Sequence, residues 1–136
     1  MTNKEKYEHW LGLATYDLET ADAMLKTGRY SYVAFACQQA IEKLAKGIYV
    51  YDFGKEAPFT HNIHAVLKHM DYIVDSDEYK LYETLFVDLL SYYISGRYAS
   101  YKDKIARNFD EKSASELIDK SKEAFAWLQS QVKLEN

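Results

Sequence analysis

Proline is almost missing from this chain: Pro58 is the single instance in 136 residues. Because proline removes a backbone donor and breaks helix interiors, its scarcity leaves room for long uninterrupted helices. Cysteine is as scarce. With Cys37 alone no intramolecular disulfide can form, and its place in an apolar stripe reads as a small buried hydrophobe rather than a reactive thiol. A reducing, cytoplasmic setting is therefore expected. No apolar run reaches the ~18 residues that a membrane span requires, so no membrane partner is expected. The opening MTNKEKYEHW also carries charge where a signal peptide would be apolar. Excess positive charge is lacking too: a net charge of −4 does not fit a general nucleic-acid binder, and any RNA contact would need a local basic patch.

What the chain does have is tyrosine, 13 of them, and helical periodicity. Tyr7, Trp10, Leu11, Ala14, Leu18, Ala21 and Leu25 predict a first helix from Lys4 to about Thr27, with Asp17 on the same side as a boundary carboxylate or an inward one with a partner. Gly28 is a natural helix stop, so a second helix, Ser31 to about Tyr51, should fold back antiparallel to the first. Val33, Cys37, Ala40, Ile41, Leu44, Ile48 and Tyr51 form its apolar stripe. Gln38 and Glu42 share one line along it and Gln39 and Lys43 the next, while Glu42 and Lys46 have the spacing of an ion pair on an exposed face. A loop with Pro58 leads to a short third helix running to Val74, with Thr60 as N-cap. His61 and His64 are spaced for one metal, but no carboxylate stands near as a third ligand, so no metal is expected. A fourth helix ends at about Ser95 and a last one begins near Glu111 or Lys112. Between them lies the one basic stretch, with Arg97, Lys102, Lys104 and Arg107. No repeat or linker divides residues 1–136, which predicts a single all-α domain, an up-and-down bundle of four long helices and one short.

Several segments, in this order, resemble a HEPN domain, the higher-eukaryote and prokaryote nucleotide-binding family. They are Asp17-Leu18 with Ala21, Gly28-Arg29-Tyr30, the run Ala36-Cys37-Gln38-Gln39-Ala40-Ile41-Glu42-Lys43-Leu44-Ala45-Lys46, Thr60-His61-Asn62-Ile63, and Arg97-Tyr98. The resemblance implies a helical bundle that forms a homodimer. Many members are RNA-cleaving toxins paired with a minimal nucleotidyltransferase antitoxin, and their activity is tied to an arginine followed a few residues later by a histidine. Such a pair suits metal-free RNA cleavage, in which an imidazole moves protons and a guanidinium holds phosphate charge. This chain departs from the pattern. After Arg97 and four further residues comes Lys102, and no histidine follows His69. Lysine neutralises a phosphate but is a poor base near neutral pH.

The leading expectation is a non-catalytic or degenerate HEPN domain that binds a nucleotide, RNA or a partner protein at a polar dimer crevice, without a cofactor. Arg97 would contact phosphate, Lys102 and Lys104 would add positive potential, and Tyr98 or Tyr101 would stack on a base, with Asp17, Gln38 and Glu42 lining the crevice. The plainer reading pairs Arg97 with Asp17 or Glu42 and gives the tyrosines to packing or dimer contact. One alternative is a toxin ribonuclease that uses Arg97 with His61, His64 or a partner's histidine. Another is a purely structural homodimeric module that docks a nucleotidyltransferase.

Overall fold

The computed structural model describes residues 1–95 and 109–135. Among these the chain is helical throughout, without strands: α1 (Asn3–Lys26), α2 (Tyr30–Phe53), α3 (Ile63–Leu67), α4 (Asp71–Val74), α5 (Tyr79–Ser95) and α6 (Glu111–Gln131). The all-α bundle expected from the periodicity is the observed architecture, with two short helices where one was predicted.

Local chemistry fixes the ends of the long helices. Thr2 and Glu5 form a capping box in which the Thr2 hydroxyl accepts from the Glu5 amide at 3.0 Å and Glu5 accepts from the Thr2 amide at 3.2 Å. At the other end of α1, Gly28 at φ 75° takes the left-handed conformation. The Arg29 amide then reaches back to Met24 O and the Gly28 amide to Leu25 O, closing the helix as a Schellman motif. This tight turn returns the chain as α2, which packs along α1 more extensively than any other pair of helices in the described chain. Gly54, at φ 69°, ends α2 two residues beyond Asp52, later than expected. Asp110 caps α6 by accepting from the Ser113 amide.

The third helix differs from its prediction. Its N-cap is Asn62, whose side chain accepts from the Ala65 amide, while the Thr60 hydroxyl accepts from the Asn62 amide. His61 therefore precedes the helix. Tight turns, with the His69 amide bonded to Val66 O and the Met70 amide to Leu67 O, interrupt it before α4. The interruption keeps Ile63, Val66, Leu67, Met70 and Ile73 all buried, the same apolar set that suggested one continuous helix.

The core lies around α2, which α1, α3, α5 and α6 all contact. Its predicted stripe is buried except for Tyr51, which is half-buried and binds the C-terminal segment through the Lys133 carbonyl and the Glu135 amide. Ala34, Ala36, Ala45 and Gly47 are buried as well, so small residues let neighbours approach α2 on nearly every side. Leu81, in the first turn of α5, is exposed to solvent.

A candidate polar site on the central helix

Glu42 sits in the middle of α2 and is only 4 % exposed, so its carboxylate needs partners inside the protein. It has three. Gln38 Nε2 and His61 Nδ1 both lie 3.0 Å from Oε1, and Lys46 Nζ donates to Oε2 at 3.2 Å. The Lys46 pair has the predicted spacing, but it lies on a buried face instead of an exposed one, since the side chains are 13 % and 5 % accessible. The line is covered by the segment before α3, whose His61 meets both Gln38 and Glu42, while Lys46 borders α1 and the loop after α2.

Gln38 is completely buried and fully used. Its amide group donates to Glu42 and, at 2.9 Å, to the His61 backbone carbonyl, and its Oε1 accepts from Gln39 Nε2 at 2.7 Å. Helix α2 therefore holds His61 at both the ring and the main chain. A carboxylate that already answers Lys46 is an acceptor, so the proton between it and His61 belongs to Nδ1. The outer nitrogen, Nε2, has no partner among the described residues, and the ring is 46 % accessible. One face of that ring stacks on Tyr93 of α5 at 4.5 Å between centroids, and Tyr93 stacks in turn on Phe35 of α2 at 6.0 Å.

The other residues expected at the site divide. Asp17 does not join Glu42 in this cluster; its carboxylate is bonded to Lys43 Nζ at 2.6 Å, tying α1 to α2 in the manner of the boundary carboxylate. His64 bonds the hydroxyl of Tyr79, whose burial pushes its pKa up to about 12, so the two histidines turn to different partners. Among the described residues no group of three or more His, Cys, Asp or Glu side chains is arranged to hold a metal. Cys37 is buried, and desolvation above all pushes its thiol up to about 11, which makes it inert. Arg97, Tyr98, Tyr101, Lys102 and Lys104 lie outside the described residues.

The Glu42–His61 contact is the feature that sequence reasoning missed. The two are 19 positions apart and the loop between them has no periodicity to carry the signal. The available clue was the place of Glu42 between Ile41 and Leu44 on a helix with apolar residues on several sides, because a carboxylate so placed requires cationic or donor partners once it is covered.

A helical bundle built on a central helix, with a polar line of Gln38, Glu42 and Lys46 facing a histidine from the segment before α3, defines the class. The family follows from comparison: the HEPN domain model matches residues 7–131, and the chain belongs to the HEPN domain family. It is also similar to the crystal structure of TT1696 from Thermus thermophilus, with 28 % identity, a TM-score of 0.77, and 93 % of this chain and 98 % of that one covered. No curated protein matches it. No helix among the described residues is long and apolar enough to cross a membrane.

Proposed function

We propose that this HEPN domain is a non-catalytic or degenerate member that binds the phosphate of RNA or a nucleotide at the polar crevice beside His61. The observation that carries the reading is the 3.0 Å contact between His61 Nδ1 and buried Glu42, which leaves Nε2 without a partner among the described residues on a half-exposed ring. A buried carboxylate fixing an exposed imidazole is a costly arrangement for a surface residue with nothing to do, since it takes Glu42 out of water. Tyr93, against the His61 ring, stands four positions before Arg97 in the sequence. In this proposal Arg97 contacts the phosphate, Lys102 and Lys104 supply potential, and Tyr98 or Tyr101 stacks on a base. Gln38 and Glu42 act by positioning His61, and Asp17 belongs to the α1–α2 packing. Two copies forming a homodimer, and a minimal nucleotidyltransferase as partner, are part of the same proposal.

The test is titration with a labelled single-stranded RNA. Arg97→Ala is expected to weaken binding about tenfold, the scale of one lost charged hydrogen bond. An unchanged affinity, or no binding by the unaltered protein, overturns the reading.

A ribonuclease is the second reading, and the same contact favours it. An imidazole held at Nδ1 by a carboxylate with Nε2 free has the orientation of a general acid or base. Here His61 would stand in for the histidine missing after Arg97. RNA cleavage lost in both His61→Ala and Arg97→Ala would establish it, and intact RNA at high protein concentration would dismiss it.

A further inference from the structure

Helix α5 buries Tyr82, Leu85, Phe86 and Leu89 and leaves its other side bare. Lys80, Leu81, Thr84, Val87 and Asp88 are all exposed there, Leu81 at 62 % and Val87 at 63 %. Neither Lys80 nor Asp88 has an ion-pair partner among the described residues. The five are ordered about Thr84. Leu81 and Val87 stand three residues before and after it, and Lys80 and Asp88 four before and after it with opposite charge. At about 100° per residue these offsets bring all four within about 60° of the direction in which Thr84 points. Read from either end, the face repeats its apolar residues and reverses its charges, which is the order a helix needs to pack against a copy of itself.

We infer that this face of α5 is a contact between two copies of the chain, with the helices antiparallel and a two-fold axis at Thr84. Leu81 then lies level with the partner's Val87 and Lys80 with the partner's Asp88, and symmetry makes each pairing twice. A helix of another protein would have to bring its own matching order, whereas a second copy supplies it. There is room for one: α5 and α6 barely touch, and a concavity of about 580 Å³ opens between Leu81, Thr84 and Asp88 on one wall and Glu116, Leu117 and Lys120 on the other. Tyr93, against the His61 ring, is nine residues beyond Thr84 and so on the opposite side of α5. The contact therefore leaves each crevice on its own copy, and it does not depend on phosphate binding there.

Crosslinking and sedimentation velocity on the full chain test this. Thr84→Cys should form a disulfide between copies on mild oxidation, since a residue on the axis meets itself and Cys37 is buried. Ser91→Cys, exposed on the same helix, would be held about 20 Å from its counterpart and should stay reduced. Lys80→Asp and Asp88→Lys should each weaken the dimer about tenfold, because each sets like charges level with one another at two places. An equal mixture of the two variants should recover it, as opposite charges meet again at both places, and the recovery would show that both fold. The inference is overturned by a chain that stays monomeric at millimolar concentration, by equal disulfide yields in the two cysteine variants, or by charge variants that dimerise as the unaltered chain does. RNA titration and crosslinking read opposite sides of α5, so the crevice proposal and this one fail separately.

Discussion

Glu42→Ala is expected to lower the stability of the domain by about 3 kcal/mol, the bottom of the range for breaking a buried ion pair by removing one partner. The lower end applies because the two nitrogen partners left behind have an exit. Lys46 borders the concavity between α1, α2 and the loop after α2 and can extend into it, and His61 is already 46 % accessible, so neither is trapped without a partner. Gln38 cannot leave. Completely buried, it keeps the His61 carbonyl but loses the acceptor for its second amide proton. Urea unfolding would measure the loss, and the midpoint of thermal unfolding should fall by about 10 °C. Glu42→Gln should cost less, because it retains one acceptor while giving up the charge that answers Lys46. A loss under about 1 kcal/mol for the alanine variant would mean that the carboxylate is far better hydrated than its burial indicates.

Gly47→Val should be comparably damaging, for a reason of space instead of charge. A Cβ added at Gly47 would meet the Trp10 Cβ at 2.8 Å and the Tyr7 Cδ2 at 3.4 Å. Trp10 Cβ is fixed to the backbone of α1, so no rotamer change relieves the contact and the helix itself has to move. Overpacking of this kind costs about 1–3 kcal/mol, and a β-branched side chain places the effect at about 3. Gly47→Ala brings a smaller clash and recovers up to about 1 kcal/mol of helix propensity, so the pair should be graded. Unfolding curves for the two variants that overlay that of the original chain would show that α1 does not ride on α2 so closely.

Much of the bundle was legible in the sequence because periodicity and helix-stop chemistry are local. The bounds of α1 and the turn at Gly28 follow from residues within a few positions of one another, and so does the apolar stripe of α2 from Val33 to Ile48. The break between α3 and α4 was not legible, since the buried set from Ile63 to Ile73 is compatible with one helix or with two joined by tight turns. At the site, Asp17 and Lys43 occupy positions that allowed either a boundary pair or an inward carboxylate, and only the packing of α1 on α2 decides between them. The Glu42–Lys46 spacing gave the pair but not its burial, which depends on what other helices place over that line. The contact with His61 depends on where a loop closes, a property of the tertiary structure alone.

The position of α2 has a consequence for how the domain breathes. Four other helices lean on it, so the amides near Ile41–Ala45 become accessible to solvent only when the whole bundle opens. Their hydrogen exchange should therefore report the global unfolding free energy, and any substitution that lowers it should speed them equally. The four-residue helix α4 buries only Ile73 and should exchange through local fraying at a rate indifferent to those substitutions. A single exchange experiment on the unaltered chain would then separate two tiers of protection, with the inner tier coinciding with the residues that hold Glu42 and Gln38 in place.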